Sequence, residues 1–156
     1  MGRKRFFLYV FLLGCFITMG NPLLADDGFA GEGREISLDE WIERAEKHLS
    51  KGEDEEALSC YHQVLLLDSR NLSANIFVGN YYYLQGEKER KEIEIVRSKK
   101  YKSTNEKYEA YQKALIGLWP IYVKAKNHLE VVLTQFPSSE VKKTLNHIEE
   151  LHQIIQ

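Results

Sequence analysis

The sequence predicts an all-α fold. From residue 37 onward, apolar residues recur at steps of three and four, the period of a helix that buries one face. Proline is scarce, at three in 156 residues, and β-branched residues never alternate for long, so strands have no support. Ser37–Glu40 and Ser103–Glu106 have the Ser-x-x-Glu form of capping boxes ahead of apolar-periodic segments. In that device each side chain satisfies a backbone N–H left over at a helix start.

Residues 1–25 stand apart from this pattern. They hold no acidic residue, carry Arg3, Lys4 and Arg5, and then run apolar from Phe6 to Met19. That order is the order of a secretory signal, with Leu23-Leu24-Ala25 as a cleavage site before Asp26. The apolar run of about 14 residues is shorter than the roughly 20 that span a bilayer. A second reading lies inside the leader. Leu12-Leu13-Gly14-Cys15 resembles the lipobox of bacterial lipoproteins, which would place a lipid on Cys15, although Phe16-Ile17-Thr18-Met19 stays apolar where lipoproteins turn small or polar. Both readings send the chain out of the cytoplasm, to a bacterial periplasm or a membrane-tethered envelope position, with secretion as a further destination. Any membrane contact would come from the lipid or from an uncleaved leader.

Cleavage near Ala25 removes three of the 21 cations and none of the 23 acids, leaving a net charge near −5. An acidic exported domain is a poor match for nucleic acid or anionic lipid. Cys60 is then the one thiol left, so no internal disulfide can form, and its apolar neighbours predict a buried, inert side chain. Asn71-Leu72-Ser73 has the form of a glycosylation sequon, read here as chance beside a bacterial leader.

The elements follow in order. Residues 26–36, with Gly28, Gly31 and Gly33, lack periodicity and read as a flexible tether ahead of a helical domain at 37–156. The first helix runs from Leu38 to Ser50 and stops at Lys51-Gly52. The second runs from Asp54 to Leu67 and buries Ala57, Leu58, Tyr61, Val64 and Leu65; Asp68 to Asn71 turn the chain.

Trp41, Gly52, Ala57, Tyr61, Leu65, Leu67 and Asp68 carry a resemblance to the tetratricopeptide repeat (TPR), falling where that family has its Trp, Gly, Ala, aromatic, Leu, Leu and Asp. Val78, Gly79, Tyr82 and Gly86 look like the start of a second repeat, and Ala125, Leu129, Val132, Leu133 and Pro137 like the end of one. Ala45, His48 and Ser69 depart from the pattern. The resemblance implies antiparallel helix pairs, with Trp41, Ala57, Tyr61, Gly79, Tyr82 and Ala125 as packing positions.

Between Gly86 and Ala125 lie 34 residues more than two repeats require. Three compact repeats at 38–71, 72–105 and 106–139 would set Lys91 and Lys113 at tightly packed positions, at several kcal/mol each. The register therefore favours two repeats, 38–71 and a split one at 72–86 and 120–137, around an inserted two-helix arm at 87–119; a divergent third repeat stays open. Tyr108, Tyr111, Leu115, Leu118, Tyr122, Ala125, Leu129, Val132 and Phe136 form one seam. Pro120 lies inside it and would cost about 3 kcal/mol in a straight helix, which predicts a kink or a restart. Gly86–Lys100 and Thr104–Pro120 match in length, at about 21 and 24 Å, with a turn near Tyr101 to Ser103. Residues 138–156 form a capping helix with Val141, Leu145, Ile148, His152 and Ile155 on one face.

Nothing in the chain has the spacing of a catalytic, phosphate-binding or cofactor-binding motif. Glu149 with His152, and His147 nearby, lack the matched ligand pairs of a helical metal site. His48 with Asp54, and His62, have no nucleophile to activate. Arg97, Lys99, Lys100 and Lys102 around Tyr101 read as a solvated basic hairpin end. The expectation is a non-catalytic scaffold that holds a protein or peptide, needs no cofactor or metal, and contacts it through Asn75, Asn80 and Tyr83. These last are implied by the groove-lining polar residues of TPR first helices. A structural or oligomerising component of a bacterial envelope assembly is the alternative.

Overall fold

The computed structural model describes residues 35–100 and 103–156, with side chains for all of these except 96–100. They form five helices and, among the described residues, no strand. These are α1 (Leu38–Lys51), α2 (Asp54–Leu67), α3 (Leu72–Lys100), α4 (Thr104–Gln135) and α5 (Ser139–Ile155). The all-α class is as the sequence predicts. Each helix packs on the next in the chain, with α3 against α4 as the most extensive pairing. No described helix is long and apolar enough to cross a membrane.

Local chemistry sets the ends. Ser37 and Glu40 exchange both capping bonds at the start of α1, 2.9 and 3.3 Å long. Gly52 ends α1 in the left-handed region, at φ 74°, where a Cβ would be strained. At the start of α3 the Asn71 side chain accepts from the Ala74 N–H. Ser103 and Glu106 form the second box at the head of α4, and Ser138 caps α5.

Lengths shape the domain. Each of α1 and α2 has 14 residues, about 21 Å, whereas α3 has 29 and α4 has 32, about 43 and 48 Å. The long pair therefore outruns the short pair. Beyond the α1–α2 hairpin the companion of the long pair is α5, whose Ile148 and Leu151 pack with Leu115, Leu118, Tyr122 and Ala125. The Gln112 amide of α4 donates to the Ile154 carbonyl at 2.6 Å, which fixes how far α5 climbs. α5 thus covers the lower part of the stretch expected as the arm. The terminal helix covers that part with Leu151 in addition to Ile148 of the expected face.

Three points refine the expectations. α3 runs without a break through Gly86 into the stretch expected as the arm, and a Cβ at Gly86 would lie 2.9 Å from the Tyr122 ring. Pro120 does not restart α4. It sits on an exposed face with Ile116 and Gly117, where solvent can take the place of the hydrogen bond that its missing N–H cannot make. Tyr108 and Phe136, at the two ends of the seam, are 52% and 59% exposed, while Leu115 to Val132 between them are buried.

Candidate functional site

Two polar networks and one groove are candidates for function. The first network lies where α3, α4 and α5 meet. The Glu87 carboxylate, its side chain 13% exposed, takes two bonds from the Arg90 guanidinium at 2.8 and 3.0 Å. It also accepts from the Tyr122 hydroxyl at 2.9 Å and lies 3.3 Å from His147 Nε2. Arg90 reaches on to Glu94 at 2.7 Å and to the Tyr111 hydroxyl at 3.4 Å. Burial alone would raise the Glu87 carboxyl, but the bonds from Arg90, Tyr122 and His147 outweigh it and bring it down to about 2. Burial and the Glu87 carboxylate push the Tyr122 hydroxyl far above its ordinary value. A carboxylate fixed ionised and a phenol fixed neutral are poor proton carriers near pH 7. The arrangement holds three helices together.

The second network joins α2, α3 and α4. The His62 Nε2 and the Tyr82 hydroxyl are 3.3 Å apart, and Lys124 stands 4.8 Å from the Tyr82 ring centre. His128 Nδ1 donates to the side-chain Oδ1 of Asn75 at 2.9 Å. Burial lowers both imidazoles, helped by Lys124 at His62 and by His62 at His128. Both are held neutral.

Asn75 is therefore misplaced as a contact residue. It is 1% exposed, and its amide donates to the Ser69 and Asn71 carbonyls at 3.1 and 2.8 Å, so it knits the α2–α3 turn. Tyr83 is half-buried, edge-on to the His147 ring at 6.2 Å, and serves the packing of α5. Asn80 is exposed, on a stripe of α3 with Ile76, Leu84 and Lys88. Of the other histidine pairs, His48 meets Glu53 at 2.7 Å and not Asp54; His152 Nδ1 lies 3.9 Å from Glu149 and its ring stacks on Trp119 at 4.2 Å, while Glu149 also faces Lys126 at 3.4 Å.

The positions singled out for packing lie as follows. Ala57, Tyr61, Gly79 and Ala125 are buried. Trp41 is half-buried, with the Arg44 guanidinium 5.1 Å from its ring centre, and Tyr82 packs against both apolar clusters. At Gly79 a Cβ would lie 2.9 Å from Leu129 and 3.3 Å from the His128 Cβ, so α3 and α4 approach each other there. Cys15 and the basic side chains from Arg97 to Lys102 lie outside the described residues.

The groove occupies the step where α3 outruns the α1–α2 hairpin. It has a volume of about 490 Å3 and is walled by Asp54 and Glu55 of α2 and by Tyr81, Leu84, Gln85, Lys88, Glu89 and Glu92 of α3. Leu84 is 64% exposed, and Tyr81 stands half-buried and edge-on to Tyr82 at 5.7 Å.

No protein-family model matches the chain, and no curated protein matches it. A solved structure does. It is a protein from Bacteroides ovatus described as a "putative protein binding protein", 37% identical to this chain with a TM-score of 0.69. The match covers 77% of this chain and 59% of that one, so the chain spans little more than half of its length.

The sequence could have revealed Glu87 and Arg90 through phase. Stepping from Gly79 by threes and fours reaches Tyr82, Gly86, Arg90 and Ile93, which puts Arg90 on the inward face. The mixed run Glu87-Lys88-Glu89-Arg90-Lys91-Glu92 hides that phase by reading as solvated throughout.

Proposed function

We propose that this protein is a non-catalytic, TPR-like adaptor or scaffold that binds another protein along the exposed face of α3. The step groove carries the reading: beyond the α1–α2 hairpin, α3 presents Leu84 and Tyr81 beside a row of polar side chains. A helical groove with an apolar anchor point is suited to an extended peptide or an amphipathic helix. The description of the Bacteroides ovatus protein as protein-binding is consistent with it. The charge-then-apolar leader supports work outside the cytoplasm, in a bacterial envelope, as a cleaved form beginning near Asp26 or a form tethered through Cys15.

Photo-crosslinking groups placed at Asn80 and Leu84 of the full chain, in cells, test this. Crosslinks to a different protein support the adaptor. Self-crosslinks alone, running along residues 86–120, would replace it with an oligomerising envelope component. Mass spectrometry of the mature N-terminus separates the cleaved from the lipidated form.

A further inference from the structure

The charges around the groove are unbalanced, and most have no partner. Four carboxylates, from Asp54, Glu55, Glu89 and Glu92, face one ammonium, from Lys88. Glu89 accepts a bond from Gln85 at 3.1 Å, but among the described residues no hydrogen bond or ion pair engages the carboxylates of Asp54, Glu55 or Glu92. Elsewhere on α3 the acids are used: Glu87 and Glu94 are both bound to Arg90. The groove's field is felt inside it. Burial raises the Tyr81 hydroxyl, and Glu55, Tyr82 and Asp54 raise it further. An exposed apolar side chain, Leu84, lines the same groove, one turn along α3 from Tyr81.

We propose that the groove receives a cationic amphipathic segment of a partner protein, with lysines or arginines set around one leucine-sized or aromatic side chain. The proposal rests on the protein-binding reading above and names the partner's chemistry. Charge complementarity selects the partner: three unengaged carboxylates across one groove attract a cationic segment and repel an acidic one. The basic side chains face Asp54, Glu55 and Glu92, and the apolar one seats between Tyr81 and Leu84. From Tyr81 to Glu92 the α3 wall is about 17 Å long, three turns, so it accommodates a helix of about ten residues. A free cation or an isolated arginine would leave the apolar surface of Tyr81 and Leu84 unused.

Three synthetic peptides of about 14 residues, one helix of about 21 Å, test this on the full purified chain. The first has lysines with leucines at steps of three and four, the second replaces its lysines with glutamates, and the third replaces its leucines with serines. Fluorescence anisotropy should show binding of the first alone, weakening as salt rises. Glu55→Lys with Glu92→Lys should weaken it about tenfold or more, and Leu84→Ser severalfold, with the circular dichroism of both variants unchanged. Equal binding of the glutamate or serine peptide, or indifference to these surface variants, would overturn the proposal. So would a dimer of this chain, seen by sedimentation, that the double charge reversal dissolves, because the occupant would then be a second copy. The cellular crosslinks keep the two readings apart: a partner without a cationic segment at Leu84 removes this inference and leaves the adaptor standing, and no foreign partner removes both.

Discussion

Around α1, α2 and the first half of α3, helices are held by apolar side chains, several of them small; around the second half of α3, α4 and α5, a half-buried charged knot sits among tyrosines. The first region closes on Ala45, Cys60, Tyr61, Val64, Ala74 and Val78, with Trp41, Ile42 and Phe77 at its rim. The second closes on Leu115, Leu118, Tyr122, Ala125, Ile148 and Leu151, with Glu87 and Arg90 set into it. Small residues at the crossings let backbones approach closely and leave few alternative fits. Long side chains in the second region pack in more ways, and directional bonds from Tyr122 and His147 to one carboxylate choose among them. Such buried networks are high-stakes, since losing one member leaves the others unpaired. The difference teaches that the two halves should fail differently, and each test below can merge or separate them.

The largest effect should come from Glu87→Ala. It strips the half-buried Arg90 of its bidentate partner and leaves it, among the described residues, Glu94 and Tyr111, so a loss of about 3 kcal/mol is expected. Hydrogen exchange should accelerate in α5 and in the facing parts of α3 and α4, while α1 and α2 keep most of their protection. Equal loss across all five helices would mean that the two regions are one cooperative unit.

Acid probes the same carboxylate without a mutation. Its folded pKa of about 2 lies below the ordinary 4.5, so its contribution is complete above that value and drains away as pH falls from about 4.5 toward 2. The amount at stake is roughly 3 kcal/mol. The lowered histidines act in a different window. His62 and His128 stay neutral in the fold, so stability begins to fall as pH drops below 6.5, where the unfolded chain takes up protons first. An acid titration followed by exchange should therefore loosen the α2–α3–α4 junction before the α5 junction. A single transition in both places would erase the distinction.

Close approach separates the regions on a smaller scale. Alanine favours a helix over glycine by about 1 kcal/mol, but overpacking costs about 1–3 kcal/mol. At Gly79 the new methyl meets Leu129 and the His128 Cβ; at Gly86 it meets the Tyr122 ring, held by Glu87. Both substitutions should destabilise by about 1 kcal/mol in urea denaturation. In double-mutant cycles only Gly86→Ala should couple to Tyr122→Phe, because only that methyl moves the phenol away from its carboxylate. Coupling at Gly79 would show strain passing between the regions through α3.

How much of this could be read beforehand followed the same division. Apolar periodicity and local caps carry the helices, the α1–α2 hairpin and the start of α4 at Ser103, because those signals lie within a few residues of one another; the turn expected near Tyr101 lies outside the described residues. Gly79 and Ala125 were legible as small residues in phase with their helices. Asn75 misled because a polar side chain suggests solvent, yet it falls in phase with Val78 and Gly79, and its partners are carbonyls of the preceding turn. The Glu87 knot depends on Tyr122 and His147, 35 and 60 residues away, and no local pattern encodes such pairings. The groove was hidden for a related reason: it exists because α2 begins where α3 is only halfway along.

The smallest effect compares two identical devices in unlike settings. Ser37→Ala and Ser103→Ala each delete a capping bond, at 3.3 and 3.1 Å, worth about 1 kcal/mol locally. The first turns of α1 carry Leu38, Trp41 and Ile42 against the apolar cluster, so fraying there uncovers the core. The first turns of α4 carry Tyr108, which is 52% exposed, and the next buried residue along that helix is Leu115. Ser37→Ala should thus lower the stability of the whole domain by nearly its local value, measured by urea denaturation. Ser103→Ala should leave that midpoint in place and speed exchange only at the amides of residues 104–108. If Ser103→Ala shifted the midpoint as much as Ser37→Ala, the far end of the long hairpin would be part of the cooperative fold, and the boundary between the two regions would have to move there.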